Sequence, residues 1–180
     1  MEYFVYCRDR PDSLELRWKL AETHWSFMDR YADGMIARGP TLTPDGETPT
    51  GSVHIVDLPD ADAARVFAFE EPNYLAGVYR EVLVRRFVNE LGRTMWEFPG
   101  GNAGFLIIGH GGTGDQVPSE YRERLIACGP LLSDDGIERQ GTAILADLPD
   151  LAAAEEMMSH SRAGYDRVEI HPWRFGGRPR

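Results

Sequence analysis

The 180-residue sequence is poor in basic residues and in cysteine. Nineteen Lys and Arg stand against 29 Asp and Glu, and the formal net charge is −10. Such a surface repels nucleic acid and anionic membranes, so neither is expected as a partner. The only cysteines are Cys7 and Cys128. Two are too few for a disulfide framework, and their scarcity favours a reducing, cytoplasmic location.

Several signatures of other protein classes are also missing. No apolar run approaches the ~20 residues of a membrane-spanning helix, and charged residues at Arg8, Asp9 and Arg10 follow closely on Met1. Neither a membrane segment nor a secretory signal is therefore expected. The spacings C-x-x-C and H-x-x-x-H do not occur, which disfavours a metal site. The absence of a G-x-S-x-G elbow leaves hydrolase chemistry of that kind unsupported.

The sequence does contain an internal repeat, offset by half the chain. GSVHIVDLPD at residues 51–60 returns as GTAILADLPD at residues 141–150, and the same offset relates Gly39-Pro40 to Gly129-Pro130 and Asp45-Gly46 to Asp135-Gly136. A tandem repeat predicts two copies of one small unit. We place them at residues 1–88 and 103–180, joined by a connector at 89–102.

Hydrophobic patterns predict the order β-α-β-β-α-β in the first copy. The predicted elements are strand Tyr3–Cys7, a helix capped by Asp12 or Ser13 and running to about Ala32, strands Met35–Arg38 and Val53–Val56, a helix from Pro59-Asp60 to Phe69 and strand Glu81–Val88. The second copy is predicted to contain strand Phe105–Ile108, a short helix from about Pro118 to Ala127, strand Ala143–Ala146, helix Leu151–Met158 and strand Val168–Ile170.

This order is typical of a ferredoxin-like unit, whose sheet has one face covered by helices and one bare apolar face. Two tandem units can cover each other's bare faces. The sequence therefore predicts an α+β protein in which two ferredoxin-like (βαββαβ) units pack sheet to sheet, as an intrachain pseudo-dimeric α+β barrel. The chain is expected to be a monomer with this internal pseudo-dimer, or a homodimer.

The first copy resembles the YCII family in the order and spacing of several motifs. They are a first strand followed by a helix carrying His24, then Gly39-Pro40, Gly51-Ser52, Glu71-Pro72 and Ala76-Gly77. The second copy matches only in its first strand and from Cys128 onward, and it lacks the long helix with its histidine. The resemblance implies a ferredoxin-like fold and a His–Asp dyad, and at least one relative is a dehydrochlorinase of a chlorinated hydroquinone. This chain has Glu71 where the family usually has Asp.

His24 and Glu71 are the predicted catalytic residues. On a helix, His24 shares a face with Leu20, Phe27 and Met28, and this face should meet the sheet. An imidazole among apolar groups needs a hydrogen-bond partner. A carboxylate partner would fix its tautomer and make it a proton-transfer group near neutral pH. Alternatively, His24 is a core histidine bonded to a backbone carbonyl, and Glu71 is a solvated residue at a helix end.

Other residues are candidates for substrate binding. His54 occupies a strand position where the second copy has Ile144, so it either lines a pocket or is a partly exposed strand residue. A pocket for an aromatic substrate would be lined by Trp25, Tyr74 and Tyr79. Alternatively, these residues belong to an ordinary core. Asp45 follows Gly39-Pro40 on a loop, where it would lie at a pocket rim.

Two further features are weaker. The run from Gly109 to Gly114 fits the dinucleotide pattern G-x-G-x-x-G, but a parallel βαβ unit does not follow it, and we interpret it as a loop. Arg85 and Arg86, and the tail residues Arg174, Arg178 and Arg180, would attract an anionic substrate, although arginines at chain ends are usually solvated.

The sequence thus favours a small, cofactor-independent enzyme without a metal. Its His24–Glu71 dyad would transfer protons during elimination, isomerisation or cyclisation of an aromatic or polyketide-like small molecule. The alternatives are a non-catalytic module that binds a small molecule or a partner enzyme, and a cofactor-free oxygenase.

Overall fold

The computed structural model describes residues 1–112 and 117–178. Its strands are β1 (Glu2–Asp9), β2 (Met35–Leu42), β3 (Pro49–Asp57), β4 (Tyr79–Phe87), β5 (Ala103–His110), β6 (Leu125–Leu132), β7 (Arg139–Ala146) and β8 (Arg167–Arg174). Its α-helices are α1 (Leu14–Lys19), α2 (Ala21–Asp29), α3 (Ala61–Phe69), α4 (Pro72–Leu75) and α5 (Leu151–Met158). Short 3₁₀ turns connect several of these elements. In this part of the chain, no helix has the length and apolar character to cross a membrane.

The eight strands form one closed antiparallel barrel in the order β1-β3-β2-β8-β5-β7-β6-β4. Within it, the first half contributes four neighbouring strands in the order β4-β1-β3-β2, and the second half contributes β8-β5-β7-β6. The two halves thus have the same strand order. The fold is mixed α+β, as the sequence predicted, with few helices relative to its sheet.

Alternating side chains divide the apolar residues into one interior core and two outer cores. The barrel interior holds residues of both halves, among them Phe4, Ile55, Leu106 and Leu145. The outer core of the first half packs α2 and α3 against β1 and β3. A matching outer core packs α5 against β5 and β7. Because each half supplies part of the interior core, the bare face of each sheet is covered by the other half.

Glycines allow the barrel to close at two narrow seams. Strands β2 and β8 meet at one residue pair, and β4 and β6 meet at two. A Cβ atom on Gly39 would lie 1.9 Å from the carbonyl oxygen of Arg174, and one on Gly129 would lie 1.8 Å from that of Val88. A side chain at either position would force the strands apart. The repeated Gly-Pro motif therefore marks the two seams.

Two elements differ from the sequence predictions. The first predicted helix is interrupted at Leu20, and it ends at Asp29. The hydroxyl of Ser13 donates to the carbonyl of Arg10 instead of capping α1. In the second half, the helix predicted from Pro118 to Ala127 is wrong. A 3₁₀ turn ends at Arg124, and β6 begins at the next residue. A short apolar run such as residues 125–128 fits a buried strand as well as a helix.

The described part of the glycine run, Gly109–Gly112, does not lie in the setting that a nucleotide-binding turn requires. Strand β5 is antiparallel to both of its neighbours, β7 and β8, whereas the dinucleotide motif requires a parallel βαβ unit. Gly111 and Gly112 both adopt positive φ angles that suit glycine. Thr113 and Gly114, the last two residues of the motif, lie outside the described residues.

A substitution at one seam tests how the barrel closes. Gly129→Ala should lower the free energy of unfolding by about 2 kcal/mol or more, because its Cβ would overlap the backbone of Val88. Urea denaturation measures this loss. Gly101→Ala is the matched control, since a Cβ there meets no atom closer than 3.4 Å, and its effect should stay within about 0.5 kcal/mol. Equal effects of the two substitutions would contradict the seam interpretation.

Candidate active site

A cavity of about 240 Å³ lies on the helix-covered side of the first four strands. Helices α1 and α2 form one wall, and β2 and β3 form the opposite wall. The residues that line it are Arg17, Trp18, Ala21, His24, Trp25, Met28, Arg38, Gly39, Pro40, Pro49, Ser52, His54, Asn73, Arg174, Phe175, Gly176 and Gly177. Aromatic rings, arginines and two histidines therefore surround a space of small-molecule size.

His24 contacts Glu71 through a short hydrogen bond between its Nδ1 atom and Oε1 of the carboxyl group. Helix α2 supplies the histidine, and Glu71 precedes α4. With Glu71 as a carboxylate, Nδ1 carries the proton and Nε2 keeps its lone pair. Within the described residues Nε2 has no hydrogen-bond partner, and the imidazole lines the cavity. Such a histidine can accept a proton from a molecule in the cavity.

The surroundings of Glu71 fix its position. The residue is only 2% exposed, and as the N-cap of α4 it accepts a hydrogen bond on Oε2 from the backbone N–H of Tyr74, at 2.8 Å. The hydroxyl of Tyr79 donates to Oε1 at 3.4 Å, and the side-chain amide of Asn73 donates to that hydroxyl at 3.2 Å. Burial raises the pKa of Tyr79 well above its usual value, and the neighbouring acidic groups raise it further, so this hydroxyl stays a donor.

His54 lies beside His24 on the strand wall, with their ring centroids 5.9 Å apart. The residue is 3% exposed, and its Nδ1 is buried without a hydrogen-bond partner in the described residues. Burial lowers the pKa of His54 well below its usual value, and His24 in its protonated form and the guanidinium groups of Arg38 and Arg17 lower it further. His54 is therefore a neutral imidazole at physiological pH.

Arg17 lines the cavity and contacts Asp9, the last residue of β1. Its Nη1 donates to both carboxylate oxygens of Asp9 at 3.1 and 3.2 Å, and its Nη2 donates to the hydroxyl of Ser52 at 2.9 Å. Burial raises the pKa of Asp9, although the adjacent Arg17 guanidinium opposes the shift. These contacts hold the guanidinium in one orientation at the edge of the cavity.

The tail of the second half completes the cavity of the first. After β8, the N–H of Gly176 donates to the carbonyl of Arg38 at 2.9 Å. Arg178 then reaches across α2, where it contacts Glu22, Ser26 and Asp29 at 2.6 to 3.0 Å. The site is therefore composed of residues from both halves.

The structure brings only some of the predicted binding residues to the cavity. His54 and Trp25 line it. Tyr79 is buried behind it and bonds to Glu71, and Tyr74 is exposed and packs on Phe69. Asp45 is an exposed turn residue that bonds to the hydroxyl of Thr43 and to the N–H of Glu47. Tyr74 and Asp45 thus lie away from the cavity, because their own turns determine their positions.

Sequence reasoning missed several residues that line the cavity. Arg17, Arg38, Ser52 and Asn73 all lie there, and Arg174 was predicted only as a general attractor of anions. Ser52 and Asn73 stand within motifs shared with the YCII family, and this was a usable signal. The signal for Arg38 was weaker: Cys128 stands at its position in the second half, but this difference alone does not place the arginine in a cavity.

A second cluster of titratable groups lies between the two halves, around Glu169. Its carboxylate accepts hydrogen bonds from Arg8 at 2.6 Å, His110 at 2.7 Å and His171 at 3.0 Å. Burial favours the neutral acid, but these hydrogen bonds outweigh it and hold the pKa of Glu169 far below its usual value. In the described part of the chain, no group of three or more His, Cys, Asp or Glu side chains is arranged to hold a metal ion.

The buried neutral state of His54 predicts a pH-dependent stability. Below about pH 6.5 the unfolded chain protonates His54 and the folded chain does not, so the free energy of unfolding falls as the pH decreases through this value. His54→Ile, which copies the second half, should reduce this fall. Urea denaturation at pH 7.5, 6.5 and 5.5 measures it, with exposed His160→Asn as the control. If His54→Ile and the wild type lose stability in parallel, His54 is not buried in its neutral form.

Comparison with known proteins connects this site to a family. The model of the YCII-related domain matches residues 1–88. An uncharacterised protein from Haemophilus influenzae is 31% identical over 94 residues, and the protein YciI from Escherichia coli is 32% identical over 94 residues. In both cases the match covers 48% of this chain and 96% of the relative. The first half therefore corresponds to nearly the whole length of these relatives.

Two solved structures resemble this chain, one over 52% of its length and the other over 98%. The 5-chloro-2-hydroxyhydroquinone dehydrochlorinase TftG from Burkholderia phenoliruptrix, in complex with 2,5-dihydroxybenzoquinone, covers 52% of this chain and 99% of its own, with 26% identity and a TM-score of 0.47. A proposed monooxygenase from Lactobacillus acidophilus covers 98% of this chain and 96% of its own, with 6% identity and a TM-score of 0.48. On the family match and the two bacterial relatives, the chain belongs to the YCII-related family.

Proposed function

We propose that this protein is a small enzyme that transfers protons with its own side chains and without a cofactor. His24 is the general base and acid, and Glu71 orients it. The observation that carries this proposal is the hydrogen bond from Nδ1 of His24 to the buried Glu71 carboxyl group, with the imidazole at the cavity wall.

The dyad has the arrangement that proton abstraction requires. Nε2 of His24 takes a proton from a carbon or oxygen acid next to a carbonyl or phenol group. The electron pair then moves onto the adjacent oxygen in an isomerisation, or it expels chloride or hydroxide in an elimination. The imidazolium is stabilised by Glu71 and returns its proton to the product or to the leaving group. Each step conserves charge without an external oxidant.

The family supports a substrate that is aromatic or enolisable. TftG acts on a chlorinated hydroxyhydroquinone, and by analogy we propose elimination, isomerisation or cyclisation of a one-ring or polyketide-like molecule. Trp18 and Trp25 on one wall and Phe175 on the other suit a planar ring.

The two halves are proposed to be copies from a tandem duplication, in which the first remains active and the second serves as scaffold. Support comes from the repeated sequence at residues 51–60 and 141–150 and from the identical strand order in the two halves. In this interpretation each half is a ferredoxin-like unit, and the barrel is an intrachain pseudo-dimer. The second half has a 3₁₀ turn, Ser119–Arg124, where the first has the helices that carry His24.

Proton exchange tests the dyad without knowledge of the natural substrate. A panel of enolisable ketones and chlorinated hydroquinones in D₂O would be followed by NMR for deuterium incorporation and by chloride release. His24→Asn should lower the rate of the best substrate by about 10²- to 10⁴-fold, the usual contribution of a general base. Glu71→Gln should lower it by on the order of tenfold or more, because the amide cannot stabilise the imidazolium.

The control is His160→Asn, which removes an exposed histidine of the second half and should leave the rate unchanged. The melting temperature of His24→Asn should stay close to that of the wild type. A large loss of stability with no change in exchange rate would make His24 a core histidine. Ligand binding without any turnover would favour the non-catalytic binding module.

A further inference from the structure

The lining of the cavity has a charge opposite to that of the whole chain. The chain carries 29 acidic and 19 basic residues. Among the described residues, those that line the cavity include Arg17, Arg38 and Arg174 but no Asp or Glu. The nearby carboxylates of Asp9 and Glu71 are already engaged by Arg17 and His24. A uniformly positive lining in an acidic protein favours an anionic ligand.

Of the two largely buried arginines in this lining, Arg17 and Arg38, Arg38 has the weaker contacts of its own. Its side chain is 17% exposed, and its Nε is buried without a hydrogen-bond partner in the described residues. A carboxylate oxygen of Asp29 is 3.9 Å from Nη1, and the ring of Trp96 is 5.9 Å from Cζ. Both contacts lie at the outer limit of their type. A largely buried guanidinium with so little compensation is costly, and an anion in the cavity would offset part of that cost.

The tail competes with Arg38 for the carboxylate of Asp29, which lies closer to Arg178 than to Arg38. Arg178 donates from Nε to the carboxylate of Asp29 at 2.8 Å, and this aspartate is already 43% exposed. Gly177 lies directly against the guanidinium, since a Cβ there would come within 2.6 Å of Nη2 of Arg38. The second half of the chain thus packs against Arg38 and also engages Asp29, the one carboxylate that pairs with it among the described residues.

The residues equivalent to Arg38 and His54 are different in the second half, and this difference fits binding of a ligand by the first half. Arg38 is paired with His54 across β2 and β3, and the equivalent pair in the second half is Cys128 and Ile144. Both of these are buried in the outer core of the second half. A polar pair therefore stands beside the cavity in the first half, where the second half has ordinary core.

The size of the cavity limits the ligand to about one ring. A cavity of roughly 150 Å³ holds benzene, and this one is about 240 Å³. Trp18, Trp25 and Phe175 provide flat apolar surfaces. The space thus suits a six-membered ring with a few substituents.

We propose that the cavity binds a planar one-ring oxyanion, a phenolate or enolate, whose charged oxygen is held by the guanidinium of Arg38 beside the imidazole of His54. The proposal rests on the proposed function in one respect, namely that this oxyanion is the species on which His24 acts. Arg38 would then select ionised rings over neutral rings of the same shape.

Equilibrium dialysis with two probes of equal shape tests this selection. At pH 7.5, 2,4-dinitrophenol is a phenolate and 2,4-dinitroaniline is neutral. The wild type should bind the phenolate at least about tenfold more tightly than the aniline. Arg38→Met should weaken phenolate binding by about 10- to 100-fold, as expected for the loss of one charge-assisted hydrogen bond, and it should leave binding of the aniline unchanged.

Two further variants separate a specific contact from general charge. Arg38→Lys should keep part of the preference for the phenolate, because it keeps the charge. Arg80→Gln removes an exposed arginine that does not line the cavity. This variant should keep the full preference for the phenolate. Equal binding of both probes by the wild type would overturn the proposal. Equal losses of phenolate binding in Arg38→Met and Arg80→Gln would also overturn it. If Arg38→Met does not fold, Arg38→Lys and the wild-type comparison still decide.

The binding experiment on Arg38 and the proton-exchange experiment on His24 can fail independently of each other. Charge-selective binding that depends on Arg38, with no proton exchange on any substrate, would remove the proposed function and leave the binding site in place. Exchange that depends on His24, with no preference for the phenolate, would remove the proposed role of Arg38 and leave the dyad.

Discussion

The architecture depends on the mutual covering of two apolar sheet faces. The halves share few backbone hydrogen bonds, because one seam has a single residue pair and the other has two. The interior core, to which both halves contribute, must therefore supply most of the cohesion between them. The carboxylate of Glu169 adds polar contacts between the halves, because it bonds to Arg8 of the first half as well as to His110 and His171 of the second. Its satisfied hydrogen bonds limit the cost of a buried charge in this interface.

This closure also determines the composition of the site. The barrel places the end of β8 beside β2, and the residues that follow β8 cross the helices of the first half. A chain containing only the first half would keep His24 and Glu71 but lose Phe175, Gly176, Gly177 and Arg178. The dyad is thus a property of one half, whereas Arg174 and Phe175 complete the cavity from the second.

The sequence predicted the repeating pattern of elements well, because side-chain periodicity is a local property. Helix α5 was predicted with its observed bounds, and the mixed α+β class followed from the β-α-β-β-α-β order. Strand β6 was missed, since a short apolar run does not distinguish a buried strand from a helix. The seams could not be located, although the glycines that form them stood in the repeated Gly-Pro motif. Their role becomes visible only when strands distant in sequence come together.

The residues of the candidate site also differ in how far the sequence identified them. His24 and Glu71 were found through a family pattern, and His54 through comparison of the two halves. Arg38 was accessible to that same comparison, because Cys128 stands at its position in the second half. The signal was incomplete, since it showed that the residues differ but not that the contacts of Arg38 are weak. That property depends on Asp29 being held by Arg178 from the opposite end of the chain. The environment of Arg38 is therefore a tertiary property, whereas His24 and Glu71 could be identified from patterns in the sequence.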